Sequence, residues 1–373
     1  MDILKKMTWR QKMNSEKLID KILKSRWVEV IDIFRVESAN INAGEGGPAE
    51  IDIKTVHLED GTVVPRISPQ AIFRMIRDYW IEIGEKVDIA REEPGKPAPL
   101  PECSPEKYID DDLFGYLMAR KEEPKGGSTT GRKQKGKSES RPGPIRSIGA
   151  IGLFEYPDDV DFLTSIVSTT GAEAGGSIVM KRIYTNTFIL PIWCDIRRIG
   201  QEVIPQKDKS IKLEPFIDEN ERKRRLSKFF ESLFYLGKMM PGASKMPLSP
   251  KIMVIGMFKK PNITFYDAFS NDLAVRIKEV KLQKELTKTG EERIVSIASG
   301  KVVFSLEFNS FIEKCSLYED DIIEIIIGVM ESFFDRSIKD MEEDIKNNSK
   351  LSDEIKNKVK ILKLESLKKE LLS

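Results

Sequence analysis

The segment Arg66-Ile67-Ser68-Pro69-Gln70, followed by Arg74 and Arg77, carries the side chains best suited to holding an anion. A serine hydroxyl, the free N–H groups of a helix start and nearby guanidinium groups together match phosphate oxygens. The same residues also fit a capped amphipathic helix with two solvated arginines. A second set is Ser38-Ala39-Asn40-Ile41-Asn42, just past an apolar strand. Its amide and hydroxyl groups can bond ribose, base or phosphate, and can equally turn the chain. Arg222, Lys223, Arg224, Arg225 and Lys228 crowd the first turns of a predicted helix. Cations there oppose the helix dipole, which an anionic partner would offset, although such a run is commonly a solvated face.

Other chemistries are poorly served. Asp110-Asp111-Asp112 and Asp158-Asp159-Asp161 invite a metal-nuclease reading. Consecutive aspartates in a strand cannot all reach one ion, and no His or Glu stands at useful spacing, so both clusters read as caps and turns. His57 is the only histidine, which excludes mechanisms needing two imidazoles, and it reads as a surface or core residue. Cys103, Cys194 and Cys315 are widely spaced, suggesting neither a zinc site nor a disulfide framework but a reducing compartment. With 61 Lys+Arg against 60 Asp+Glu, the formal charge of +1 argues against a uniformly basic binder. The stretch 322–330 is broken by Glu324 and too short for a bilayer, and residues 1–9 lack a signal-like apolar run. These features predict a soluble, cytoplasmic protein.

The elements that must position these residues follow from pattern. Residues 1–26 read as a charged amphipathic helix, and Trp27–Val36 as a strand apolar on both faces, hence central in a sheet. Asp60-Gly61 marks a hairpin between 51–56 and 62–64. Ser68 as N-cap, Pro69 at the first turn and Gly84 at the end bound a helix whose core face is Ile72, Ile76, Tyr79, Trp80 and Ile83. Residues 120–146 hold nine basic and three acidic residues and read as a mobile loop able to track a polyanion, or simply a solvated insertion. Gly171–Ser177 precedes a strand-like run over 178–199. Asp218 and Glu221 suggest a capping box for a helix bearing Leu226, Phe229, Phe230 and Leu233. Strands are expected at 251–258 and 301–308, a buried helix at 317–334 and charged helices over 338–372. Strands and helices mixed without strict alternation predict an α+β fold, most economically a ferredoxin-like (RRM-like) core.

Taken together, these motifs resemble the seventh Cas protein family, the DevR-type backbone subunit of type I CRISPR Cascade complexes. The carriers are Ser38-x-Asn40-x-Asn42, Arg66-Ile67-Ser68-x-Gln70 leading to Arg74 and Arg77, and Tyr108-Ile109-Asp110-x-Asp112-Leu113-Phe114-Gly115 with its Arg-Ser continuation in 141–147. Phe229–Leu236 and Pro241-Gly242-Ala243-Ser244 match the second core helix and its following loop. Where the family often carries Lys before the first Arg of the basic helix, this chain has Phe73.

The resemblance implies an RRM-like palm with inserted finger and thumb regions and C-terminal helices. The expected division is a helical lead (1–26), palm (27–85), finger-like insertion with the basic loop (86–146), palm with thumb-like hairpin (147–200), remaining palm with an insertion near 262–300 (201–335), and C-terminal helices (336–373). It implies copies stacked head to tail along a CRISPR RNA, held through phosphate and ribose so that base edges stay free for target DNA. RNA contacts are expected from Ser38, Asn40, Asn42, Arg66, Ser68, Gln70, Arg74, Arg77, Arg141 and Arg146. Met180 or Ile183, in the thumb region 158–186, is the expected wedge. Partners would be the CRISPR RNA, further copies of the chain, the fifth, sixth and large-subunit Cas proteins, and target DNA through the guide. No catalytic residue, cofactor, metal or membrane is expected.

The enzyme alternative is an RRM-fold endoribonuclease. Against it, residues 338–373 contain no glycine for the Gly-rich loop of the sixth Cas family. Likewise no Asp lies between Ser38 and Glu50 to serve as in the type III backbone. A duplex-reading autoregulator lacks a recognition-helix pattern.

Overall fold

The computed structural model describes residues 17–44, 50–89, 101–119, 138–165, 177–239, 245–286 and 292–373. A short helix α1 (Leu18–Lys24) leads into β1 (Trp27–Ala39), then β2 (Glu50–Ile51), β3 (Thr55–His57), β4 (Val63–Ile67) and helix α2 (Pro69–Glu82). Helix α3 (Ile109–Phe114) continues into β5 (Gly115–Ala119), which pairs with β6 (Ser138–Pro142). Then come β7 (Ile145–Ser147), β8 (Ala150–Gly152), β9 (Asp159–Ser165) and the 19-residue β10 (Ser177–Asp195). A hairpin of β11 (Gln201–Pro205) and β12 (Ile211–Pro215) precedes α4 (Glu219–Phe234), the hairpin β13 (Gly237–Met239) and β14 (Lys245–Pro247), and β15 (Pro250–Phe258). The remainder comprises α5 (Tyr266–Asp272), the hairpin β16 (Leu273–Leu286) and β17 (Glu292–Leu306), α6 (Asn309–Leu317), β18 (Ile322–Val329), α7 (Ile338–Lys346), α8 (Asp353–Lys358), β19 (Val359–Lys363) and α9 (Leu364–Leu372).

β1 is central, as its two-sided apolar pattern predicted. It runs antiparallel to both β10 and β15. The sheet order is β19-β18-β15-β1-β10-β8-β4-β3, giving a mixed α+β architecture. Side chains alternate across the strand. Val28, Val30 and Phe34 pack with α1, α2, α4 and α9, while Ile31 and Ile33 pack with α5, α6 and α7. Each such fully buried side chain contributes about 1.5–3 kcal/mol by leaving water. Cys103, Cys194 and Cys315 are buried, and none of them forms a disulfide among the described residues.

Several expectations need correction. The stretch 317–334 is not a helix: it is the end of α6, then β18 and a short 3-10 turn at Glu331–Phe333. Isoleucines on both faces of Ile322–Val329 are buried between β15 and β19, and β-branched chains favour that pleated setting over a helix. The C-terminal region likewise includes β19, paired parallel to β18, besides its helices. Residues 138–142 and 145–147 are strands rather than loop, whereas 120–137 lie outside the described residues. So do residues 1–16 of the leading helix, most of Gly171–Ser177 and the 241–244 loop. Ile83 caps α2 at 40% exposure instead of facing the core, where Met75 is buried. The strand expected at 301–308 is the last part of the longer β17 (Glu292–Leu306) and ends at Leu306. Among the described residues, no helix is long and apolar enough to cross a membrane.

Candidate nucleic-acid interface

The apolar run of β1 ends in a bulge. Its register against β10 shifts between Val36 and Ala39, and Ser38 takes a left-handed φ of 47°. The backbone N–H of Ser38 donates to Thr185 Oγ1 at 3.0 Å. This bend carries Asn40 and Asn42 toward β4 and α2. Asn42 Oδ1 accepts from the Ser68 backbone N–H at 2.7 Å, while Ser68 Oγ accepts from Ala71 N–H at 3.4 Å as the N-cap of α2. Asn42 therefore fastens the loop to the helix start. Asn40 donates from Nδ2 to the carbonyls of Asp52 and Arg182, at 2.9 and 3.1 Å. Its Oδ1 is buried without a hydrogen-bond partner. Arg66, on β4, donates to the Ile148 carbonyl at 3.0 Å, and its Nε is buried and unpartnered. Gln70 is exposed on the first turn of α2.

Five of the predicted residues thus come together around the start of α2: Asn40, Asn42, Arg66, Ser68 and Gln70, with Ser38 at the bulge behind them. A helix N-terminus, an unpartnered amide oxygen and a guanidinium with donors to spare can hold the sugar–phosphate chain of a nucleic acid.

The other predicted residues lie elsewhere. Arg74 is exposed but paired with Asp78 at 2.8 Å, one helical turn on. Arg77 donates to the buried Asp110 at 2.8 Å and lies 5.0 Å from the centre of the Phe114 ring. Its Nε is thus committed to a buried carboxylate. Arg141 is internal too: it donates to Asp112 at 2.8 Å and to the carbonyls of Gln201 and Arg198. Arg146 is exposed on β7, its Nε bonded to the Gly143 carbonyl at 3.0 Å. Met180 is half-buried within the β9–β10 pairing, opposite Phe162, and also borders Glu50 of β2, so it sits along the hairpin and not at its tip. Ile183, opposite Asp159, is lower still. His57 is exposed at the sheet edge.

Asp110, Asp111 and Asp112 are neither caps nor turn formers. All three are buried in α3, where no side-chain cap bond forms. Asp112 accepts from Arg141, from Arg225 at 3.0 Å and from the Gly200 backbone N–H at 2.9 Å. Burial, with Asp110 and Asp88 nearby, pushes the Asp111 carboxyl up to about 7. Asp158 has a left-handed φ of 63° and pairs with Arg182. Among the described residues, no three His, Cys, Asp or Glu side chains converge as a metal site.

The basic start of α4 is likewise satisfied from within. Arg222 donates to the carbonyls of Ile199 and Ile196, Lys223 pairs with Asp20, Arg224 with Glu85 and Glu221, and Lys228 with Glu231. No anionic partner is needed to offset the dipole. The Asp112–Arg225 pair escaped sequence reasoning, but a signal was present. Arg225 is four residues before Phe229, on the buried stripe of α4, where an arginine must find an internal partner. Phe73, at the family's usual Lys position, stacks on Phe114 with ring centres 4.4 Å apart.

Comparison with known proteins adds three findings. Two solved structures are similar. One, described as a CRISPR RNA-guided surveillance complex, has 14% identity and a TM-score of 0.43, covering 83% of this chain and 91% of its own. The other, the same kind of complex in a pre-nicking state, has 13% identity and a TM-score of 0.45, covering 83% of this chain and 94% of its own. No curated protein matches the chain. Residues 182–276 match the family model described as CRISPR-associated negative auto-regulator DevR/Csa2. That segment takes in the second part of β10, all of α4 and β15, about a quarter of the chain.

Proposed function

We propose that the chain is a non-catalytic RNA-binding subunit that stacks head to tail along the spacer of a CRISPR RNA, as the backbone of a type I, I-B-like or I-A-like, Cascade complex. The observation that carries this reading is the Asn42–Ser68 hydrogen bond of 2.7 Å, which sets Asn40 and Arg66, each with an unpartnered buried polar atom, beside the α2 N-terminus. Such a constellation suits phosphate and ribose, as a filament on arbitrary spacers requires.

The topology supports an RRM-like palm. In chain order β1, α2, β8, β10, α4 and β15 form a β-α-β-β-α-β unit, and the four strands lie in the order β15-β1-β10-β8. Around that palm, α3 to β6 corresponds to the finger and the β9–β10 hairpin to the thumb. The strands β18 and β19 extend the sheet at one edge. The partners in this reading are the CRISPR RNA, further copies, the other Cascade subunits and, through the guide, target DNA.

The test is light scattering of purified protein with unrelated single-stranded RNAs of increasing length, with and without magnesium or manganese. Copies should add stepwise with length and the RNA should stay intact. A single copy at every length, or cleavage that survives strict purification, overturns the proposal, the latter in favour of the endoribonuclease.

A further inference from the structure

At the end of β1 remote from Asn40 and Asn42, a cleft of about 530 Å3 is lined by Arg26, Trp27, Arg146, Trp193, Asp195 and Arg198, among others. Sheet register builds it: Trp27 is opposite Asp195, and Trp193 lies between Glu29 and Arg146. Both indole N–H groups are spent internally, Trp27 on the Ile263 carbonyl at 3.1 Å and Trp193 on Glu29 at 3.0 Å. The half-buried rings therefore offer the cleft aromatic surface rather than donors.

The cations are unevenly satisfied. Arg26 is paired with Asp195, and among the described residues Arg146 uses only its Nε, on the Gly143 carbonyl. Arg198 has no side-chain hydrogen bond or ion pair among the described residues. Burial lowers Arg198 below the ordinary guanidinium range, Asp195 opposes this, and Arg146, Arg141 and Arg26 add to the lowering. One carboxylate thus faces three guanidinium groups, and an incoming anion would relieve the imbalance.

We propose that this cleft is a second nucleic-acid site, holding one nucleotide of a single strand with its base against Trp27 and Trp193 and its phosphate between Arg146 and Arg198. Stacking surface beside planar guanidinium forks is what single-stranded nucleic acid uses, whereas an acidic peptide needs only the charges. The site shares no residue with the Asn42–Ser68 interface, so the two stand or fall separately.

The experiment is a tryptophan-fluorescence titration of the full chain with octauridylate and with octathymidylate, each at low and raised salt. Quenching is expected, reduced in Trp27→Phe to the part reported by Trp193, and requiring about tenfold more oligonucleotide in the Arg146→Gln/Arg198→Gln variant. Equal response to the two probes assigns base and phosphate as the ligand groups, and a preference for the uridylate adds the ribose hydroxyl. Arg66→Gln should leave this quenching unchanged while weakening the other interface. Thermal melting checks that each variant is folded. Unchanged affinity in the folded double-arginine variant, or equal quenching by a polyglutamate peptide, overturns the proposal.

Discussion

The carboxylate of Asp112, wholly buried, accepts a hydrogen bond at 3.0 Å from Arg225, whose side chain is 2% exposed. The pair joins α3 to α4, and Arg141 completes it from β6. Loss of one partner strands a buried charge. Arg225→Met should therefore destabilise the protein by about 3–5 kcal/mol in urea unfolding. The double variant Asp112→Asn/Arg225→Met should cost less than the sum of the two singles, because they share one interaction.

Asn42 separates support from binding. Asn42→Ala removes the acceptor for the Ser68 N–H and should cost about 1–2 kcal/mol while weakening RNA of every sequence. Asn42→Asp keeps the acceptor and should melt near the parent temperature, yet bind RNA less well because its charge repels phosphate. Equal RNA affinity in both variants would show that the loop only supports α2.

The arginines of the original motif divide in the same way. Arg66→Ala should weaken RNA uniformly and flatten the salt dependence by about one unit of slope. Arg77→Ala should leave that slope unchanged and lower stability instead, since it leaves buried Asp110 without its guanidinium. Filter binding at several salt concentrations, alongside melting curves, distinguishes them.

The pH dependence follows from Glu29. Burial pushes its carboxyl from 4.5 up to about 7, against hydrogen bonds from Thr264, Phe265 and Trp193. Below about 4.5 it is protonated in both folded and unfolded chains. Between 4.5 and 7 the unfolded chain ionises first, so stability falls as pH rises, by about 3 kcal/mol in total. Urea midpoints at pH 5 and pH 8 should show this loss, and Glu29→Gln should flatten it.

Asp32 lies in the same strand, between Leu190 and Met253, with both carboxyl oxygens buried and unpartnered. Asp32→Val should be neutral or stabilising by about 1 kcal/mol, since a β-branched side chain suits the site and no hydrogen bond is lost. A marked loss of stability in denaturant would show that the carboxyl does structural work.

The amino-acid sequence alone determined the local units of this protein. Trp27–Val36 had to be a strand buried on both faces, and Ser68-Pro69 had to start a helix, because alternation and capping act over a few residues. Those rules also placed Leu226, Phe229, Phe230 and Leu233 on one face of α4, and all four are buried. The run Ile322–Val329 is a strand within the stretch 317–334 expected as a helix, because a short apolar stretch fits either until its neighbours are known. Only the tertiary structure decided which charges remain available. Arg77, Arg141 and the cations of α4 looked as free as Arg66 and Arg146, but their carboxylate and carbonyl partners lie up to 203 residues away. A guanidinium group's role depends on which partners folding places within hydrogen-bond reach, and spacing along the chain carries no record of that. The same holds for the cleft at Trp27 and Trp193, whose residues meet only because β1 and β10 pair in one register.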